Sequence, residues 1–439
     1  MNFLIYPASI LFVLSVLVFI HELGHYLVAK WCGVRVEVFS LGFGKRLFGF
    51  RRGETDYRVS MLPLGGYVKM AGENPMEDRT GDPGEFTSHP RWQRFLIAIA
   101  GPTMNIAFTI VVFTGIFKFH NEYPKFLDQP AVIGSVVDGS AAQQAGLQAW
   151  DKIVRIQDIS NPTWKQISYK VLLNPNQPLD IEVQRGNGTF KKTVTPHAMP
   201  RDAVGDMGWI PNASLIASQI EPNLPAKSAG IQEDDEIVSL DGTPITDQDA
   251  FRHKLQEGKG APVVIGVVRN GQPMKFTLSP QYADDKNGGM AFRSGMSLKL
   301  ASQIERLPLR QAFPKAVSEA RDNTFLVFEL VEKLFQRKIS ITALESPVGM
   351  ARDTGQAAKG GIFPLLYVMA LISLQLGIFN LLPIPILDGG LMLMLLIEGM
   401  IRRDINQRIK ERAYQLAFVC LILFASVVIF NDVAKSFHH

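Results

Sequence analysis

The chain has 439 residues, 47% of them apolar, and its mean hydropathy is slightly positive. This balance suggests membrane spans combined with water-soluble modules. The net charge of +4, without a dense Lys/Arg tract, argues against nucleic-acid binding, and the two distant cysteines, Cys32 and Cys420, argue against a disulfide framework.

Four segments are long and apolar enough to cross the roughly 30 Å hydrocarbon core of a bilayer. They run from about Leu4 to Ala29, Phe95 to Phe119, Ile362 to Leu387 and Ala413 to Phe430. The loop between the first two and the short loop before the last are rich in Lys and Arg, which predicts that both face the cytoplasm. Both termini and the block from about His120 to Gly361 are then extracytoplasmic.

The first predicted span contains His21-Glu22-Leu23-Gly24-His25, which fits the pattern H-E-x-x-H. On a helix the two histidines project from one face and can ligate one zinc ion, while Glu22 can take a proton from an attacking water. Ionisable groups inside a span cost at least a few kcal/mol unless they meet partners, which strengthens the match. A rival interpretation, that these residues only mark the helix end and extend into the interface, stays open.

The cytoplasmic loop, residues 30–94, includes a stretch rich in aromatic and aliphatic residues. Asp56 to Met61 alternates like a strand, and Gly65-Gly66 permits a bend before Tyr67 and Val68. The pattern predicts a membrane-associated β-hairpin beside the first span. The first domain, residues 1–120, therefore holds two spans and this hairpin.

The extracytoplasmic block contains an internal repeat with a single offset of 84 residues. Three matches carry it: Ala145-Gly146-Leu147 with Ala229-Gly230-Ile231, Asp151–Val154 with Asp235–Val238, and Val183–Arg185 with Val267–Arg269. Each copy indicates a small β-rich domain, the first over residues 121–205 and the second over 206–300. A connector to residue 361 follows, with a predicted amphipathic helix over Ala312–Phe335.

A second polar cluster, NLLPIPILDGG from Asn380 to Gly390, ends the third predicted span within the last domain, residues 362–439. Pro383 and Pro385 break the helix, which lipid tolerates only where the backbone lines a protein cavity. Asp388 can reach the metal from a similar depth, and three protein ligands leave the fourth zinc position to water. Asn380 either stabilises an oxyanion or caps the helix.

Together these motifs resemble the site-2 proteases, which are intramembrane zinc metalloproteases, over nearly the whole chain. The likeness includes HELGH, GFG and PLGGYVKM in the loop, Gly101-Pro-Thr-Met-Asn105 and NLLPIPILDGG. It implies a zinc ion on His21, His25 and Asp388, with Glu22 as catalytic base and Asn380 near the substrate. It also implies that an unwound substrate pairs with the hairpin as an added strand. The substrate-binding residues are then Leu64, Gly65, Gly66, Tyr67, Val68 and Pro383.

The repeats resemble bacterial PDZ domains, the second more closely, because the first has Arg155-Ile-Gln-Asp-Ile where an Asn-Gly or Asp-Gly turn is usual. They can bind peptides, or they can act as a filter or spacer. The expected fold is a membrane protein of four transmembrane helices with two PDZ-like domains and a membrane-associated hairpin.

The expected function is regulated proteolysis of single-span membrane proteins in a bacterial inner membrane, near its cytoplasmic face. Family likeness implies a membrane-bound anti-sigma factor among the substrates. Two alternatives stay open: a membrane-anchored PDZ scaffold without catalysis, and a protease that clears signal-peptide remnants.

Overall fold

The computed structural model describes residues 5–73, 81–199, 203–245, 247–284, 289–340 and 346–437. These residues belong to two compact units. The membrane unit lies within Met1–Asn121, Glu305–Glu332 and Ile341–His439, and the repeat unit lies within Glu122–Ile304 and Lys333–Ser340.

The described residues form eleven α-helices. In chain order they are α1 (Ile5–Cys32), α2 (Arg91–Phe119), α3 (Ala141–Gln144), α4 (Trp164–Leu172), α5 (Pro225–Ala229), α6 (Gln248–Glu257), α7 (Leu309–Phe335), α8 (Pro347–Gly360), α9 (Ile362–Asn380), α10 (Asp388–Ile401) and α11 (Gln407–Phe437). Four of them, α1, α2, α9 and α11, are long and apolar enough to cross a membrane, which confirms the predicted number of spans.

The third predicted span is wrong at its end. Instead of continuing to Leu387, α9 stops at Asn380, and α10 begins at Asp388. Pro383 and Pro385 lie between the two helices, where each lacks an N–H and keeps the preceding residue out of the helical conformation. With 14 residues, or about 21 Å, α10 is too short to cross the bilayer by itself.

The strands are short except for the first two. They are β1 (Val36–Arg52), β2 (Thr55–Met70), β3 (Asn121–Pro124), β4 (Ile133–Val136), β5 (Lys152–Ile156), β6 (Ile159–Ser160), β7 (Leu179–Arg185), β8 (Gly188–Val194), β9 (His197–Ala198), β10 (Gly205–Asp206), β11 (Trp209–Pro211), β12 (Leu215–Ile220), β13 (Glu236–Leu240), β14 (Thr243–Pro244), β15 (Val263–Arg269), β16 (Gln272–Leu278), β17 (Gln281–Asp284), β18 (Met290–Arg293), β19 (Met296–Leu300) and β20 (Ser302–Glu305).

The predicted hairpin is present as strands β1 and β2, and its pairing is irregular: residues 38–41 of β1 lie opposite both 66–69 and 56–59 of β2, and the turn joins Arg52 to Thr55. Its inner end packs against α1 through an apolar cluster that includes Ala29 and Val68. The second half of β1 instead exposes large apolar side chains, among them Phe48 and Phe50. The hairpin therefore packs on α1 through part of its residues, including Tyr57 beside Tyr26, and exposes apolar side chains elsewhere.

The membrane unit packs α7 against two of its spans. Ala312, Ala316 and Ala320, one helical turn apart, are buried against a cluster that includes Phe113 of α2 and Ala370 of α9. Small residues at this spacing let helices approach closely. The predicted amphipathic helix over Ala312–Phe335 is thus formed, and its small face covers α2 and α9.

The repeat unit confirms the internal repeat element by element. The order β5, β6, α4, β7 and β8 recurs as β13, β14, α6, β15 and β16, with every start displaced by 84 residues, as from Lys152 to Glu236. The first copy has the sheet order β6-β5-β7-β8, with β11 paired to β4. The second has β16-β15-β13-β12-β19, with β14 on β13. The predicted domain boundary, between Gly205 and Asp206, falls inside β10.

Each repeat buries one carboxylate against one arginine. Asp151 accepts two hydrogen bonds from Arg185 at 2.6 and 2.7 Å, and Asp235 accepts two from Arg269 at 2.6 Å each. A main-chain N–H three residues earlier adds a third bond of 2.9 Å in both copies. Burial opposes ionisation, yet these bonds hold the pKa of both carboxyls below the usual value.

Candidate metal centre and active site

The two histidines of HELGH lie on one face of α1, and each is only 8% exposed. Gly24, between them in sequence, lies against α2, where an added Cβ would stand 2.4 Å from the carbonyl oxygen of Ala100. Only a residue without a side chain permits this approach of the two helices. The H-E-L-G-H sequence therefore provides both the polar groups and the close contact with α2.

Asp388 reaches the histidines because the chain unwinds after α9. It is the first residue of α10, and the two glycines that follow pack directly on the preceding turn. An added Cβ would lie 2.3 Å from the Leu381 oxygen at Gly389, and 2.2 Å from the Ile384 oxygen at Gly390. The folded turn between Asn380 and Asp388 depends on both glycines. It brings the Asp388 carboxylate next to the histidines of α1.

The side chains of His21, His25 and Asp388 converge, and their potential ligand atoms all lie within 4.8 Å of one another. The Nε2 atoms of His21 and His25 lie 3.1 and 3.5 Å from the Asp388 carboxylate, and 3.1 Å from each other. Two imidazole nitrogens and a carboxylate oxygen aimed at one point form the donor set that zinc prefers. The three residues therefore fit a zinc ion.

Outer contacts hold both imidazole rings. The Nδ1 atom of His25 lies 2.7 Å from the Ile97 carbonyl oxygen, which can only accept, so this N–H donates and Nε2 keeps its lone pair. Gly101 leaves room for the rings, because an added Cβ would stand 2.3 Å from His25 Nε2 and 2.8 Å from His21 Cε1.

Asn105 contacts the other ring: its side-chain nitrogen lies 3.2 Å from His21 Nδ1. In the sequence, Gly101–Asn105 stands out only as a family motif, and the pattern predicts no role for these residues at the site. One signal was available: Gly101 and Asn105 are four residues apart, so they lie on the same face of a largely apolar helix.

Glu22 lies beside the histidines and contacts the hairpin. Its side chain is half-buried, and its Oε2 atom accepts a hydrogen bond from the Val68 N–H at 3.0 Å. The Glu22 carboxylate is thereby held between α1 and the C-terminal end of β2. A base at this place can serve a group that approaches along the hairpin.

The other predicted hairpin residues have different surroundings. Gly65 lies near Val18 of α1, Gly66 packs against the Ser40 carbonyl oxygen, and the Tyr67 ring stacks on Phe43 at 5.8 Å. Leu64 lies in β2, and its side chain is outside the described part of the structure. Among the described atoms of these five residues, the Val68 N–H is the one that makes a hydrogen bond to Glu22.

Asn380 and Pro383 lie at the helix break. Asn380 is the last residue of α9 and is half-buried, and Pro383 is in the turn that follows. Within the described part of the chain, the Asn380 side chain makes no hydrogen bond to His21, His25 or Asp388. The structure thus brings four of the predicted site residues together and leaves Asn380 at the edge of the turn.

The second repeat contains a separate cavity of about 470 Å³ between α6 and β19. Its lining includes Gln248, Phe251, Arg252, Leu255, Met296 and Leu298. Gln256 fixes one end of α6 by exchanging two hydrogen bonds of 2.8 and 2.9 Å with the backbone of Phe292. The groove therefore has a mixed polar and apolar lining and is bordered by a sheet edge.

The first repeat has tryptophans at the matching places. Trp164 corresponds to Gln248 by the 84-residue offset, and Trp209 corresponds to Met296, because each pairs with the equivalent strand residue. The two indole rings meet edge to face at 5.9 Å, and Trp164 is 2% exposed. The tryptophan pair fills the position where the second repeat is open.

Comparison with known proteins gives one consistent result. The model of peptidase family M50 matches residues 9–424. A protein of Vibrio cholerae named as a candidate zinc metalloprotease is 31% identical over 96% of this chain and 97% of its own length. The regulator of sigma-E protease of Salmonella typhimurium is 30% identical over 98% of both chains, and that of Escherichia coli K12 is 29% identical over 99% and 100%.

Proposed function

The chain belongs to peptidase family M50 and is a zinc metalloprotease of the site-2 type, and we propose that it binds zinc on His21, His25 and Asp388 and cuts single-span membrane proteins. The convergence of these three side chains from two separate helices is the observation that carries the proposal. Bound zinc would supply a Lewis acid that polarises the scissile carbonyl and acidifies water.

Glu22 is the proposed general base. Its carboxylate accepts the Val68 N–H with one oxygen, so the other oxygen is available to take a proton from the attacking water and pass it to the leaving amine. Asn380, on the opposite side of the helix break, is proposed to donate a hydrogen bond to the carbonyl oxygen as negative charge develops on it. Small movements of the turn that contains Pro383 would bring this amide to the substrate.

Substrate unwinding is proposed to occur along the hairpin. A transmembrane helix satisfies its peptide groups internally, so its bonds become accessible only when another element takes over their hydrogen bonds. The segment Leu64–Val68 offers such an element, because β2 leads directly to the Glu22 carboxylate. A substrate added as a strand beside it would present extended backbone to the base.

The substrate class and location follow by analogy with the relatives. Because several relatives are named regulators of sigma-E protease, we propose a membrane-bound anti-sigma factor as one substrate in an envelope stress response. The proposed location is the bacterial inner membrane, with both termini and the repeats outside. The cationic loops support the proposal that the metal centre lies near the cytoplasmic face.

Cleavage of a transmembrane reporter by purified full-length protein tests the catalytic assignment. Glu22→Gln keeps the shape of the side chain and removes the base, so we expect the rate to fall by roughly 10²–10⁴-fold with zinc still bound. Glu54→Gln, at an exposed acidic position on the hairpin turn, is the matched control and should cut normally. Wild-type activity in Glu22→Gln would refute the role of Glu22.

The same preparation separates the alternatives. A non-catalytic scaffold would hold no stoichiometric zinc, or would hold zinc with unchanged affinity after Asp388→Ala. A protease for signal-peptide remnants would prefer short membrane peptides to a reporter trimmed only outside the membrane. Comparing both substrates on one preparation distinguishes these functions.

Peptide binding by the second repeat is a further proposed role, favoured by the open groove between α6 and β19. An extended peptide can add to the edge of β19 while its side chains enter the groove, where Phe251, Leu255 and Leu298 supply apolar contacts. The first repeat, filled by Trp164 and Trp209, is proposed to act as a spacer. Peptide affinity measured on the full chain, with the groove changed in each copy, tests this division.

A further inference from the structure

A buried polar network on α2 supports His21. Asn105 is fully buried, and its main-chain oxygen accepts hydrogen bonds of 3.0 Å from the hydroxyls of Thr109 and Ser373. Its side-chain nitrogen lies 3.2 Å from His21 Nδ1, and its side-chain oxygen Oδ1 is buried and has no hydrogen-bond partner among the described residues. The network thus fixes the backbone of Asn105. Of the two polar atoms of its side-chain amide, only the nitrogen contacts a described partner.

The contact between the amide and the ring decides where the proton of His21 resides. When the amide nitrogen faces Nδ1, it donates, and the neutral ring must carry its proton on Nε2. That proton then points at the Asp388 carboxylate, 3.1 Å away, and the nitrogen is not available as a ligand. When Oδ1 faces the ring instead, Nδ1–H donates to it and the Nε2 lone pair points at the metal site.

The two histidines differ in this respect. His25 donates from Nδ1 to the main-chain carbonyl of Ile97, which has a fixed position and can only accept. His21 depends on a side-chain amide, and a half-turn about the last bond of Asn105 exchanges its nitrogen and oxygen without changing its shape. The tautomer of one ligand is therefore set by the backbone, and that of the other is set by a rotatable group.

We propose that Asn105 is a positioning residue that makes His21 a zinc ligand by turning its Oδ1 towards the ring and holding the proton on Nδ1. This inference rests on the proposed zinc site. It assigns Asn105 a role in metal affinity, distinct from its role in packing α2 against α9. Hydrogen-bond partners of this kind typically change metal affinity by about 10- to 100-fold.

Three variants of the full-length protein separate these roles through zinc affinity, measured by competition with a chromogenic chelator. Asn105→Leu keeps the volume and removes the acceptor, so affinity should fall roughly 10- to 100-fold. Asn105→Asp offers only acceptors to the ring, so affinity should stay within about threefold of wild type or rise. Thr109→Val removes a hydroxyl from the same network without touching His21, so it should lower thermal stability and leave affinity unchanged.

Specific outcomes overturn the inference. If Asn105→Leu binds zinc like wild type, or Asn105→Asp loses as much affinity as Asn105→Leu, Asn105 does not set the tautomer. Wild-type protein with ¹⁵N-labelled histidine provides a measurement that does not depend on a variant folding. In its zinc form the His21 resonance should show the proton on Nδ1, and a proton on Nε2 contradicts the inference.

Failure of the proposed function has a different signature. Wild-type protein that holds no stoichiometric zinc, or whose zinc affinity is unaffected by Asp388→Ala, refutes the zinc site itself. If zinc affinity falls in Asp388→Ala but is unchanged in Asn105→Leu, the zinc site stands and only the inference about Asn105 is refuted.

Discussion

The membrane unit and the repeat unit both bury ionisable side chains, but the side chains of the metal centre have different partners from the buried aspartates of the repeats. In each repeat a buried aspartate is saturated by one arginine and one main-chain N–H, as Asp235 is by Arg269. In the membrane unit, two imidazole nitrogens face each other at 3.1 Å beside a carboxylate. A buried group with a complete set of partners is structural, whereas a converging set of donors indicates a ligand.

Duplication makes this distinction stronger. The Asp–Arg pair occurs in both repeats with the same bonds, so it belongs to the fold and not to a function of either copy. The groove residues differ between the copies, with tryptophans in one and an open cavity in the other. Features shared by the repeats explain stability, and features that differ between them are candidates for function.

The largest effect should come from removing the acidic member of the metal centre. Asp388→Ala should reduce reporter cleavage below about one-thousandth of wild type, because two histidines alone hold zinc weakly. The free energy of unfolding should change by less than about 1 kcal/mol, since the carboxylate makes few bonds within the chain. Cleavage and thermal unfolding of the same sample check both, and a large loss of stability would make Asp388 structural.

A steric test comes next. Gly101→Ala places a methyl group 2.3 Å from His25 Nε2, so the ring must move and zinc affinity should fall by roughly 100-fold. Gly115→Ala is the matched control in the same helix, because an added Cβ there meets nothing within 4 Å. Metal content after dialysis against a chelator compares the two. Equal zinc retention would mean that the rings do not hold the metal.

Substitutions in the Asp–Arg pairs of the repeats should change the free energy of unfolding and should not change the zinc affinity of the metal centre. Asp235→Ala leaves Arg269 without its partner and should destabilise the second repeat by about 2–4 kcal/mol. Asp151→Ala should cost less, because Arg185 is 38% exposed and Arg269 only 21%. Chemical denaturation followed by circular dichroism measures both changes. Asp249→Ala, on the surface of α6, is the control, and an equal loss there would show that the pairs contribute little.

Much of this organisation could be predicted from the sequence, because the signals were local. Span number follows from apolar length, the repeat follows from a fixed offset, and H-E-x-x-H places His21 and His25 on one helix face. The third span was drawn to Leu387 because apolar composition continues that far, whereas the predicted break at Pro383 and Pro385 ends α9 at Asn380. Asn105 was missed because its contact with His21 joins two helices 84 residues apart in sequence.

A pH titration distinguishes the repeats from the membrane unit more finely. The pKa of Asp151 and Asp235 is lowered in the folded state relative to about 3.9 in the unfolded chain. Their contribution to stability is therefore complete above about pH 5 and is lost as the pH falls through the lowered values. Unfolding of wild type should become easier below about pH 4, and the double variant Asp151→Asn, Asp235→Asn should show a flatter profile.

The smallest expected effect concerns the difference between the two grooves. Gln248→Trp should fill the second groove as Trp164 fills the first, and should weaken binding of a fluorescent decapeptide, ending in an aliphatic residue with a free carboxylate, by about tenfold. His253→Trp, on the exposed face of α6, adds the same bulk outside the cavity and should not change affinity. The reverse change, Trp209→Met, should open the first groove and create weak binding there. If Gln248→Trp binds the peptide like wild type, the groove is not a peptide site, and the two repeats differ only in packing.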